Sequence, residues 1–165
     1  MPDDEIFEIV DDAGNVVGVA KRSECHGNPA LTHRTAHVVV YHPDGRMLLQ
    51  KRSMSKDIQP GKWDTAVGGH LDPGEDFEAA ARREMREELG LDENLPLRLL
   101  FDSRIRNDIE SENVRVFAAT SEGPFDFCRN ELDEVRFWTE AELRDESNCR
   151  EFTPNLIDEL KQLLD

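Results

Sequence analysis

Cysteine is scarce in this chain. Only Cys25, Cys128 and Cys149 occur in 165 residues, an odd number set far apart, and no Cys-x-x-Cys pair exists. This excludes a disulfide framework and a zinc knuckle, and three reduced thiols are expected. Long apolar runs are missing too, so no stretch reads as a membrane span. The opening residues, Met1-Pro2-Asp3-Asp4-Glu5, are acidic and lack the basic start and apolar core of a secretory leader. A cytoplasmic protein is expected. Positive charge is short: 20 Lys and Arg stand against 36 Asp and Glu, a net charge of -16. Such a surface repels nucleic acid and anionic membrane, and neither is an expected partner. It also repels a phosphorylated small molecule, unless metal ions and a few local cations reverse the field. Repeats, linkers and low-complexity tracts are absent. With 38% hydrophobic residues, the chain is expected to form one domain over residues 1–165.

What is present is mostly short strands with turn punctuation. Glu5–Val10 and Val16–Lys21 flank Asp-Asp-Ala-Gly-Asn, a hairpin signal. Ala36–His42 and Met47–Arg52 flank Pro43-Asp44-Gly45, a second one. Trp63–Val67 reads as one short strand running into Gly68-Gly69. Further strands are expected at Leu97–Arg106, Asn113–Ser121 and Val135–Trp138. Between them lies one long helical pattern, Asp76 to Leu89. Phe77, Ala80, Ala81, Met85 and Leu89 recur at helical spacing and Gly90 stops the run. A last helix fits Pro154–Leu164, with Leu156, Ile157 and Leu160 in one stripe. Strands before and after a central helix predict an α+β fold, a mixed sheet sandwiched between helices.

The chemistry concentrates in Gly69–Leu91, GHLDPGEDFEAAARREMREELGL. Asp72-Pro73-Gly74 is a turn, and Glu75 sits at the helix start. Glu84, Glu87 and Glu88 follow at i, i+3 and i+4, on one helical face. Three carboxylates so close repel one another, and a divalent cation removes that repulsion. Carboxylate oxygens suit magnesium or manganese. On this cluster alone, a solvated acidic face neutralised by Arg82, Arg83 and Arg86 is as good a reading. Upstream, Arg52, Lys56 and Lys62 are candidate phosphate-binding cations. Trp63, Phe101, Phe125 and Phe127 are aromatics that can stack a base, though core packing is the commoner role.

The full spacing resembles the Nudix box. Gly69, five residues, Glu75, seven residues, then Arg83-Glu84-Met85-x-Glu87-Glu88-x-Gly90-Leu91 fill its nine restricted positions over 23 residues. The resemblance implies the Nudix fold and a metal-dependent hydrolase that cleaves a diphosphate linkage. Its ligands would be Glu84 and Glu88, with Glu87 beside them and the Gly69 carbonyl joining the set. Arg83 would pair with Glu75 as a structural tie.

From about Ile6 to Leu143 the chain also resembles the isopentenyl-diphosphate-isomerase-like branch of that superfamily, through HGNPALTHR, LLQKRSMSKDIQPGKWDTAVGGH, ESENVRVFAA and EVRFWTEAEL. Isomerases of that branch hold a metal with three His and two Glu. The counterparts are His26, His33, His70, Glu110 and Glu112, which implies a second divalent transition metal. His37 and His42 match no ligand position. The departures point to hydrolysis. Gly68 stands where an isomerase has its catalytic Cys. Asn155 follows Phe152-Thr153-Pro154 where it has an active-site Trp. Glu84 stands where its box carries a basic residue. A metal-dependent hydrolase of a nucleotide-like or other small diphosphate is therefore expected. An isomerase and a non-catalytic diphosphate-binding module are the alternatives, and a homodimer is the alternative to a monomer.

Overall fold

The computed structural model describes residues 5–56 and 59–164. The chain opens on an antiparallel hairpin, β1 (Ile6–Val10) and β2 (Val16–Lys21), followed by a one-turn helix α1 (Arg22–Cys25). Asp11 closes the hairpin turn, its carboxylate accepting the amides of Ala13 and Asn15 at 2.9 Å. Next come β3 (Thr32–Tyr41), β4 (Met47–Arg52), β5 (Trp63–Thr65), β6 (Val67–His70) and the long helix α2 (Phe77–Leu89). Then follow β7 (Arg98–Arg106), β8 (Ser111–Thr120), β9 (Leu132–Trp138), α3 (Glu140–Arg144), a 3-10 turn over Glu146–Glu151, and α4 (Pro154–Leu163).

Strand β3 organises the second sheet, which has seven strands. It runs parallel to β8 along its whole length, Thr32 opposite Ser111 through Tyr41 opposite Thr120. Its other edge is shared by β6, over Thr35–Val38, and by β4, at Val40–Tyr41. β4 carries β9 on one edge and β5 beside β3 on the other, and β7 lies outside β8. Alternation along these strands feeds two cores. Ala36, Val38 and Val40 of β3 and Phe117 and Ala119 of β8 meet Ala80, Ala81, Met85 and Leu89 of α2. Val39 of β3 and Val114 and Val116 of β8 meet Leu156 and Leu160 of α4 from the other side. The sheet is thus sandwiched between helices, the α+β arrangement expected.

Helix α2 begins where Asp76 accepts the Ala79 amide at 2.7 Å. It ends at Gly90, whose φ of 66° is the left-handed conformation glycine adopts freely. Three local departures from the sequence reading have simple causes. β3 starts four residues earlier than Ala36, because the buried inward residues there are polar, His33 and Thr35. The stretch Trp63–Val67 is two strands, since the chain changes partner at buried Ala66: β5 pairs with β4, and β6 pairs with β3. Hydrophobic alternation does not encode a change of partner. Helices α1 and α3 are too short to show a period, although Thr139 and Glu142 form a capping box at the start of α3.

Candidate active site and metal ligands

Strand β6 is where the site assembles, because its successive residues face opposite sides of the sheet. Gly69 faces α2. A Cβ on Gly69 would lie 2.2 Å from Cδ of Glu84 and 2.5 Å from its Oε1, so glycine is what lets that carboxylate rest on the strand backbone. One helical turn on, Glu88 Oε2 accepts the Gly68 amide at 3.0 Å. Burial pushes the Glu84 carboxyl up to about 7 against the pull of Arg83, and Glu87 and Glu5 add repulsion. Burial, followed by the charge of Glu84, raises Glu88 well above the usual carboxylate range, although the Gly68 amide and Gln50 hold it from the other side. Two half-buried acids that resist ionising together are the donor set a divalent cation relieves.

Arg83 braces this arrangement. Its Nε and Nη2 donate to the two carboxylate oxygens of Glu75 at 2.8 and 2.9 Å, and Nη2 also reaches the His70 carbonyl at 3.0 Å. Its Nη1 donates to Glu84 at 2.7 Å and to the more exposed Glu87 at 3.2 Å. Glu75 in turn accepts the Asp72 amide at 2.9 Å. One guanidinium therefore ties the Asp72-Pro73-Gly74 turn, the end of β6 and the acidic face of α2 together.

Glu84, Glu87 and Glu88 line a cleft of about 440 Å³ together with Arg52, Lys56 and Arg22. Lys56 is paired with Glu131 on the rim, and Arg52 lies 4.0 Å from Asp64. Lys62, the third candidate cation, lies apart from these two. It does not line the cleft, and its ammonium bonds the Arg150 carbonyl instead. Arg22 was missed from sequence, since nothing in a four-residue helix 47 positions before the box marks it as a neighbour. The four candidate aromatics are absent from the cleft wall. Trp63 packs edge-on against Trp138 at 5.3 Å, and Phe101, Phe125 and Phe127 lie against the two cores.

On the other face of β6 lies a second cluster. His33 of β3 stands opposite Glu112 of β8, and His70 stands opposite Thr35, so all three share one face. One ligand atom from each lies within 4.8 Å of the others. His33 Nε2 and Glu112 Oε1 are 3.1 Å apart. Phe7 of β1 stacks on both imidazoles, with centroids 4.9 and 4.3 Å away. Burial, with His33 and Arg22 adding to it, pushes His70 down to about 3 and keeps it neutral, as a metal ligand must be. Burial opposes ionisation of Glu112, yet the His33 hydrogen bond holds its carboxyl below the ordinary range. Both His33 Nδ1 and His70 Nδ1 are buried without a hydrogen-bond partner. Neutral imidazole, carboxylate and orphaned nitrogens fit a transition metal. His26 lies outside this trio, close enough to His33 and Glu112 to feel their charge. Glu110 precedes β8 rather than lying in it, and also stays outside the trio.

A third group was not singled out from sequence. His37 of β3 hydrogen-bonds through Nδ1 to Glu159 of α4 at 2.7 Å, and the Thr65 hydroxyl donates to the same carboxylate at 2.6 Å. Burial would lower His37, but the Glu159 carboxylate overrides it and lifts the imidazole to about 9. The available signal was parity: residues 33, 35 and 37 share one strand face.

The NUDIX domain family model matches residues 31–158, and the chain belongs to the Nudix family. It is a Nudix hydrolase, an enzyme of diphosphate chemistry. A Nudix hydrolase of Yersinia pestis is 37% identical over 157 residues, covering 93% of this chain and 82% of that protein. An isopentenyl-diphosphate delta-isomerase of Streptomyces avermitilis is 32% identical over 143 residues, covering 84% of this chain and 73% of that one. The crystal structure of DR0079 from Deinococcus radiodurans superposes with a TM-score of 0.80 at 25% identity, covering 96% of this chain and 98% of that one.

Proposed function

We propose that this enzyme hydrolyses the diphosphate linkage of a small molecule with magnesium or manganese held by Glu84, Glu88, Glu87 and the Gly69 carbonyl. The observation that carries this reading is the Gly69–Glu84 contact, which seats one of two half-buried acids, Glu84 and Glu88, in a cleft also lined by Arg22, Arg52 and Lys56. When bound, the divalent metal supplies a polarised phosphoryl oxygen and a more acidic water. Arg52, Lys56 and Arg22 bind and orient the phosphates against the net negative charge of the chain. Arg83 keeps Glu84 facing the cleft, and Glu75 keeps Arg83 in place. The trio His33, His70 and Glu112, with His26 and Glu110 at its margin, is proposed to take a second divalent metal.

The experiment is a screen of small diphosphates with magnesium and with manganese, followed by chelation. Metal-dependent release of a phosphorylated product is expected. Turnover that survives exhaustive chelation, with metal content shown to be negligible, removes the central claim. The isomerase reading is disfavoured by geometry as well as by sequence: Gly68 and Asn155 line one chamber, where neither a thiol nor an indole is available.

A further inference from the structure

Next to the cleft, and sharing Gln50, Arg52, Gly68, Gly69, His70 and Glu88 with it, is a chamber of about 170 Å³ between β3, β6, β8 and α4. Among the described residues, two of its polar atoms have no hydrogen-bond partner. Thr35 is 4% exposed, lines the chamber, and its Oγ1 has no hydrogen bond. His37 also lines it, with Nδ1 committed to Glu159 and no hydrogen bond at Nε2 among the described residues. Gly68 stands opposite His37 in the β3–β6 register. A Cβ on Gly68 would sit 3.2 Å from His37 Cδ2 and 3.4 Å from Nε2, so the glycine leaves that ring edge open.

We propose that this chamber binds a hydroxyl-bearing group of the substrate, of sugar type, with His37 Nε2 and Thr35 Oγ1 as its hydrogen-bonding partners and Glu159 as the residue that positions His37. The inference rests on the diphosphate reading above and assigns the substrate's organic half. Phosphate belongs in the cleft, because Arg22 and Lys56 line it and not the chamber, whose one Lys or Arg, Arg52, is shared between the two. The Asp64 and Glu110 carboxylates of the chamber wall can accept from hydroxyls. A hydroxyl also satisfies His37 in either protonation state, since it can both donate and accept. An alkenyl chain would leave Thr35 Oγ1 and His37 Nε2 buried and unpaired, which is how a polar pocket rejects an apolar analogue. The volume is the liquid share of roughly five or six waters, room for one small ring.

The matched probes are ribose 5-diphosphate and isopentenyl diphosphate, two five-carbon diphosphates that differ in hydroxyls. Equilibrium binding is measured by calorimetry, with calcium replacing magnesium. The wild type is expected to bind the ribose compound at least about tenfold more tightly. Thr35→Val, which removes an unpaired hydroxyl at constant shape, is expected to lower that preference about threefold or more. The double variant His37→Phe/Glu159→Leu, which removes this ion pair as a unit, should lower it further. Equal affinities, a preference for the alkenyl compound, no measurable binding of either, or a preference that Thr35→Val leaves unchanged would each overturn the proposal. A retained ribose preference without hydrolysis of any diphosphate would sink the hydrolase reading and leave this one standing.

Discussion

Replacing Arg83 with Ala tests whether the brace at the box is structural. The change removes five hydrogen bonds, two of them a bidentate clamp on Glu75. The side chains involved are mostly buried, 21% exposed for Arg83 and 15% for Glu75. Breaking such a pair leaves an acid without its cation, a loss of about 3 kcal/mol at the low end for a buried pair. For a chain of this size that is a fall in melting temperature of roughly 6–12 °C. The same change frees Glu84 from its only guanidinium contact among the described residues, so metal affinity should fall as well. Thermal unfolding without metal gives the first quantity, and the shift on adding magnesium gives the second. Arg83→Lys should recover part of the stability, since an ammonium cannot reproduce the fork. An unchanged melting temperature with lost activity would refute the brace and make Arg83 a direct substrate or transition-state contact.

Glu88→Gln should cut turnover at least about a hundredfold by removing one ligand charge, while the metal-free protein melts no lower, because a buried acid beside Glu84 has been neutralised; near wild-type turnover would show the ligand assignment to be wrong. The His37–Glu159 pair should make stability depend on pH. The imidazole is raised from 6.5 to about 9, so its contribution is complete below about pH 6.5 and is lost as pH rises through 9. That shift corresponds to about 3 kcal/mol. Denaturant unfolding from pH 6 to 10 should show the fall in the wild type and a flatter profile in His37→Phe/Glu159→Leu; parallel profiles would refute it. Finally, isopentenyl diphosphate should not be converted to dimethylallyl diphosphate, because Gly68 has no proton to transfer and Asn155 no ring to shield a cation; steady multiple-turnover product, seen after chromatographic separation, would overturn this.

The sequence by itself determined the parts of this protein that are local. The i, i+3, i+4 spacing of Glu84, Glu87 and Glu88 places them on one face of a helix whatever surrounds it. Asp76 and Gly90 mark the ends of that helix through capping chemistry that needs no neighbours. Box spacing tied Gly69, Glu75 and Arg83 to the same unit, and the order of strands before and after a central helix foretold a sheet sandwiched between helices. Tertiary structure decided everything that depends on register between distant segments. His33 reaches Glu112 because β3 lies parallel to β8, 79 residues away in sequence. Arg22 reaches the cleft because the hairpin β1–β2 packs over β3. Lys62 stays out of it because its ammonium bonds the Arg150 carbonyl of the 3-10 segment before α4. His37, which matched no ligand position in the sequence, became a chamber wall only when α4 brought Glu159 to it across 122 residues. Spacing along one helix is set by backbone geometry, whereas pairing between strands and helices is set by which buried faces fit together, and a single chain's letter order does not state that fit.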